Sequence, residues 1–287
     1  MRKTIISLII ILSFAIGCKQ GKYPENKIYS IKFDESKSNL YCDFIFPNPE
    51  IDSISIEMRT RYSLDSLTSN FKQDIEKALA LINWTHNRWE HNGNNNPNNN
   101  NPIYLVEQGK KGQNFRCVEY GIVLSASLNS IGIPTRTLGL KTKDVETVEI
   151  GAGHVVSEAY IPDIGKWVFM DAQINYIPFL NGVPLNAVEY QKAILENKNE
   201  IELRDFSGPV EKNTAKNQME WVAKYLYYFD VPFYSTEIRK NCKGKSKLML
   251  VPLNAKEPKV FQRKSKMNYL LYTNNLNEFY KEPKYGR

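Results

Sequence analysis

The chain has 287 residues, 42% hydrophobic, 12% aromatic and 24% charged, which suits one large domain or two modest ones and excludes collagen-like, wholly disordered and disulfide-dense classes. Four cysteines are too few for a disulfide scaffold, and three histidines leave little for a histidine-rich metal centre. The formal charge of +7 arises without a long Lys/Arg block, so it fits solubility and attraction to an anionic surface and not a nucleic-acid footprint.

The chain opens with the positive head Met1-Arg2-Lys3, followed by an apolar run over 5–16 broken only by Ser7 and Ser13. That run is too short for a membrane-spanning helix, which needs roughly 20 residues, and it fits the hydrophobic region of a signal peptide. It ends in Ala15-Ile16-Gly17-Cys18, small residues before a cysteine. This resembles a bacterial lipobox, in which Cys18 becomes the lipidated N-terminus and anchors the protein to a membrane of the cell envelope, on its periplasmic or surface face. An ordinary secretory signal with an incidental cysteine is the alternative.

Residues 18–65 read as a tether followed by strands, from the alternating runs Tyr29/Ile31/Phe33, Cys42/Phe44/Phe46 and Ile54/Ile56/Met58 with Pro47 and Pro49 between them. Residues 66–89 read as a helix with Ser69 a candidate cap and Phe71, Ile75, Leu79 and Ile82 on one face. Residues 92–101 hold eight Asn, one Gly and one Pro, a solvated loop that is either a rim or a tolerated insertion. Cys117, Gly121, Leu124, Leu128 and Ile131 then form one stripe of a largely buried helix, stopped by Gly132 and Pro134. Cys117 therefore stands in a first helical turn, where unpaired N–H groups and the helix dipole favour a thiolate. A small core cysteine is the plainer reading of that residue taken alone.

The next pattern adds partners. Residues 155–161 read as a strand, Pro162-Asp163-Ile164-Gly165 as a turn and 166–172 as the returning strand. A tight hairpin centred between 162 and 164 places His154 and Asp171 on one face as direct or diagonal neighbours. Asp171 can then orient one ring nitrogen of His154 while the other serves the thiol.

A Cys on a helix start, then His and Asp on adjacent strands, resembles the transglutaminase-like superfamily of papain-like folds. The residues carrying the likeness are Phe115 to Gly121, Gly132-Ile133-Pro134-Thr135-Arg136, Gly153-His154 and Trp167 to Asp171. The resemblance implies an α+β fold: a nucleophile helix packed on an antiparallel sheet over 66–185, extra N-terminal strands, and a C-terminal α/β extension over 186–287 packing on that core. It implies Cys117 as nucleophile, His154 as general base and acid, and Asp171 as orienter, acting on a peptide or protein substrate with no cofactor and no metal. Val155-Val156 stand where many members have Ala-Trp, and Val118 stands where cross-linking members carry Trp. Both differences weigh against protein cross-linking more than against thiol catalysis, and the expected reaction is hydrolysis of an amide or peptide bond. The competing class is a catalytically inactive module that binds a peptide or glycan at the cell envelope, and a third is a surface assembly lipoprotein working through its strand-rich ends. Oligomeric state is not legible.

Several residues carry two readings. Gln113 is a candidate oxyanion donor or a loop residue, beside the backbone N–H of Cys117. Arg136 reads as structural, holding the helix–strand turn or a carboxylate. His86 and His91 are five apart, which is not a helical zinc spacing, and read as helix-end residues that could line the cleft with Trp84 and Trp89. Cys42 and Cys242 are a disulfide or two separate buried thiols. Trp221, Tyr225, Tyr227 and Tyr228 read as core.

Overall fold

A computed structural model describes residues 22–37, 42–234 and 242–286, so the leader and Cys18 lie outside the described residues. Among the described residues no helix is long and apolar enough to cross a membrane. In chain order the first elements are β1 (Ile45–Phe46), α1 (Ser53–Tyr62), α2 (Leu64–Thr68), α3 (Asp74–His86), α4 (Pro102–Lys110) and α5 (Cys117–Ser130). The hairpin strands follow as β2 (Thr135–Lys141), β3 (Gly153–Ile161) and β4 (Lys166–Met170). A smaller four-stranded sheet comes from β5 (Ile177–Leu180), β6 (Val183–Pro184), β7 (Ile201–Asp205) and β8 (Gly208–Pro209), with α6 (Ala187–Glu196) between β6 and β7. The chain closes with α7 (Lys212–Ala223), β9 (Tyr228–Pro232), β10 (Lys247–Leu250), β11 (Val260–Phe261), β12 (Ser265–Lys266), β13 (Leu270–Thr273), α8 (Leu276–Phe279) and β14 (Lys284–Tyr285).

The fold is α+β. Its main sheet has six strands in the order β13-β10-β9-β2-β3-β4, antiparallel except for the parallel β10–β13 pair. Period-2 alternation divides its strands between two apolar layers. Leu138, Leu140, Val156 and Phe169 face the core shared with α6 and α7, whereas Ala159, Ile161, Val168 and Met170 face the core shared with α1, α3, α4 and α5. The α5 helix lies directly on β3: a Cβ at Gly121 would stand 3.1 Å from both Val155 Cγ1 and the Val156 carbonyl oxygen, a contact tight enough that any larger residue would push the helix and strand apart by a few tenths of an ångström.

The N-terminal region departs from the expected strands. Residues 53–62 are helical, because Asp52 caps them by accepting from the Ser55 N–H at 2.7 Å, and Ile54, Met58 and Tyr62 recur four apart against the core. The short alternation Ile54/Ile56/Met58 imitated a strand, while Ile56 faces solvent. The helix expected over 66–89 is two helices, with Ser69 closing α2 and Gln73 opening α3. α4, not foreseen, is opened by Asn101, whose side chain accepts from the N–H groups of Ile103 and Tyr104, with Pro102 in the first helical position.

Candidate active site

Cys117 is the first residue of α5, and its half-buried thiol is the only unpaired cysteine among the described residues. The preceding Arg116 is extended, and the buried Glu119 carboxylate accepts its backbone N–H at 3.0 Å and pairs with its guanidinium at 2.6 Å. An aromatic cluster beneath that turn fixes its height. Trp89 meets Phe115 edge-on at 5.2 Å and Tyr120 at 4.9 Å, and the Tyr120 hydroxyl donates to the Trp89 carbonyl at 2.6 Å. At the first helical position, the Cys117 N–H has no intrahelical acceptor and is free to meet an anion.

The hairpin supplies the other two groups. β3 and β4 pair Ser157 with Met170 and Tyr160 with Trp167, so the next residues outward place His154 diagonal to Asp171 on one face. His154 Nε2 donates to Asp171 Oδ2 at 2.7 Å, and both side chains are almost wholly buried. The second carboxylate oxygen, Oδ1, accepts the N–H groups of Gln173 at 3.0 Å and Ile174 at 3.2 Å. With Nε2 committed to Asp171, Nδ1 is the ring nitrogen left for the sulfur.

Burial works against a charged His154. The negative charge and hydrogen bond of Asp171, joined by the hydrogen bond and charge of Cys117, outweigh it and push the imidazole up to about 10. Residues read as core form one wall. Trp221 of α7 stands edge-on to the His154 ring at 4.8 Å, and Tyr225 lies at 5.9 Å. Burial and then the charge of Cys117 push the Tyr225 phenol up to about 12. Both aromatics also belong to the larger core, so their periodicity was indistinguishable from packing; the aromatic pair at i, i+4 was the available sign.

His86 and His91 share a polar cavity of about 300 Å³ with Trp89, Asn114 and Gln173. His86 Nδ1 donates to the carbonyls of Ala172 and Gln173, bracing the segment after Asp171. His91 pairs through its backbone with Phe115, two residues before the thiol; burial and then the charge of His154 hold its imidazole below the usual range. Trp84 lies apart, with the Tyr62 ring tilted against it and the Arg88 guanidinium over its face. Gln113 is exposed in the turn between α4 and α5, where its backbone N–H donates to Gln108, and no hydrogen bond joins its side chain to Cys117 or His154. Arg136 is structural: fully buried, it pairs with Glu158 at 2.9 Å and donates to the Phe279 carbonyl. Cys42 and Cys242 form a disulfide. Among the described residues no cluster of His, Cys, Asp or Glu has a metal-holding arrangement.

Residues 62–172 match the family model described as the transglutaminase-like superfamily. The matched segment contains Cys117, His154 and Asp171. Among solved structures, a candidate cysteine protease from Cytophaga hutchinsonii is 17% identical with a TM-score of 0.34, over 45% of this chain and 40% of its own. A candidate protease from Parabacteroides distasonis is 15% identical with a TM-score of 0.32, over 57% of this chain and 28% of its own. The transglutaminase of red sea bream is 11% identical with a TM-score of 0.29, over 65% of this chain and 46% of its own. The chain thus spans less than half of each. No curated protein sequence matches it significantly.

Proposed function

We propose that the protein is a cysteine-dependent acyl-transfer enzyme that hydrolyses an amide or peptide bond, held at the cell envelope by a lipid on Cys18. What supports this reading is the buried His154–Asp171 hydrogen bond at 2.7 Å, together with the hydrogen bond and charge of Cys117 that help raise the same imidazole. In the proposed reaction the Cys117 sulfur attacks the substrate carbonyl carbon, and the N–H at the start of α5 receives the developing oxyanion. His154, already carrying its proton, donates it to the leaving amine as the C–N bond breaks and a thioester forms. It then takes a proton from water, which attacks the thioester and releases the acid and the free thiol. Asp171 stabilises the imidazolium and holds its orientation throughout. Val118 in place of an aromatic beside the thiol supports hydrolysis over cross-linking. Anchoring rests on the lipobox-like Ala15 to Cys18 segment, and mass spectrometry of the mature N-terminus tests it directly.

The enzymatic claim is tested by the pH dependence of iodoacetamide labelling at Cys117. The wild-type thiol is expected to label well below pH 8, and His154→Ala to abolish that low-pH reactivity. Labelling of both proteins only near the ordinary thiol range of about 8.5 contradicts thiol catalysis and leaves a binding module.

A further inference from the structure

The positive charge of this chain, although dispersed in singles and pairs, is concentrated in one place. Residues 242–272 contain eight basic residues against Glu257 alone, a balance of +7 that equals the formal charge of the entire chain. The remainder is neutral overall. Within this segment β11 and β12 form a tight antiparallel hairpin, with Gln262 and Arg263 both left-handed at its tip.

The hairpin is fastened to the strand that delivers His154. The Phe261 ring lies 3.2 Å from where a Cβ would stand on Gly153, the residue before His154. The Gln262 side-chain oxygen accepts the Ala152 N–H at 2.9 Å, and its backbone N–H donates to Val145. Neighbouring carboxylates neutralise part of the charge: Glu149 pairs with Arg263, Glu257 with Lys259 and Glu146 with Lys256. Lys264 and Lys266 are exposed without a carboxylate partner among the described residues, and the Lys245 ammonium donates only to the Asn268 carbonyl. Lys245, Lys259 and Lys266 surround a cavity of about 400 Å³ whose other walls include Met267 and Leu270.

We propose that this hairpin and its lysine-lined cavity make the site selective for acidic peptide substrates, whose carboxylates are drawn to the lysines as the scissile bond approaches Cys117. The inference rests on the thiol chemistry proposed above and adds the substrate class. An excess of one sign beside a cleft raises the local concentration of the opposite charge, and its reach is about 8–10 Å at ordinary salt and longer at low salt.

The test compares alkylation of Cys117 by anionic iodoacetate and neutral iodoacetamide at low ionic strength, in wild type and in Lys264→Glu/Lys266→Glu. Both replaced residues are exposed, and the iodoacetamide rate reports whether the site itself is intact. The iodoacetate-to-iodoacetamide rate ratio is expected to fall about tenfold in the variant and to fall in wild type on adding salt. A Glu-rich peptide is expected to protect wild-type Cys117 from iodoacetamide, its Gln-substituted counterpart to protect less, and the variant to lose the difference. An unchanged ratio and equal protection by both peptides, with iodoacetamide labelling normal, overturn the acidic preference and leave thiol catalysis standing. Absence of low-pH labelling in wild type overturns the catalytic reading itself.

Discussion

At the scale of single residues the site depends on one buried carboxylate holding one buried imidazolium. Removing a charged imidazole from water opposes its protonation, so the rise of His154 to about 10 measures how strongly Asp171 and then Cys117 compensate. His154 keeps its proton throughout the neutral range and loses it as the pH rises through about 10, which in the proposed reaction keeps the acid for a leaving amine available at neutral pH. Asp171→Asn removes the charge while preserving shape and one hydrogen bond. Burial then acts on His154 with less opposition, its proton is lost at lower pH, and the sulfur loses its cationic partner. The expected result is at least about a tenfold slower iodoacetamide reaction at neutral pH, with the rate–pH curve displaced toward the ordinary thiol range near 8.5. A curve superimposable on wild type would remove Asp171 from its role. Coupling between thiol and imidazole makes these transitions properties of the pair, so the displacement of the whole curve is the quantity to compare.

At the scale of elements, the site is the meeting of a helix start with a hairpin edge, and the contact at Gly121 sets their separation. Gly121→Val puts a branched side chain where Val155 and the Val156 carbonyl already stand at 3.1 Å. The expected outcome is a loss of about 1–3 kcal/mol in urea denaturation, together with slower labelling as α5 is pushed from β3. Arg136 joins other elements: its guanidinium pairs with Glu158 and lies 4.1 Å from the Trp167 ring centre and 4.7 Å from that of Phe279. Arg136→Met leaves Glu158 buried with only its Tyr280 and Ala187 donors, and about 3–5 kcal/mol should be lost by the same measurement. Legibility also sorts by element. The β3–β4 hairpin and α5 were readable because two short apolar runs flank the turn at Pro162 to Gly165 and a 3.6-residue stripe ends at Gly132, both glycines having positive φ. Helix α1 was not, because three apolar residues at alternate positions imitate a strand over so short a stretch, and the deciding residue was the Asp52 cap. The Trp221 and Tyr225 wall was invisible as a site because its partner, His154, is distant in sequence and an aromatic pair on a helix looks the same whether it packs or functions. The hairpin 260–266 was likewise hidden, since its proximity to His154 comes through Gly153 and not through any local motif.

At the scale of the whole molecule, the two ends of the described chain close around the core that carries the site. The N-terminal segment contributes Cys42, Phe44 and Phe46 to the same apolar layer as β9 and β10, and β1 pairs with the terminal β14. Residues 228–273 complete the main sheet beyond β2, so the strand bearing His154 lies inside a sheet built from distant parts of the sequence. The Cys42–Cys242 disulfide, joining positions 200 residues apart, fixes that closure covalently. Both cysteines are buried among apolar neighbours. A cross-link of such span restricts the unfolded chain far more than the folded one, and the loop-entropy relation gives a contribution of about 5 kcal/mol, with measured values commonly about 2–5. Cys42→Ala/Cys242→Ala should therefore lower stability by about 2–5 kcal/mol in urea denaturation, and reductant should destabilise wild type but leave the variant unaffected. Cys117, His154 and Asp171 lie on α5, on β3 and just after β4, none of them in the disulfide, so iodoacetamide labelling of Cys117 at neutral pH should persist in the folded variant. Loss of labelling without loss of stability would mean that closure of the termini positions the site as well as supporting it, through the Trp221–Tyr225 wall that packs in the same core.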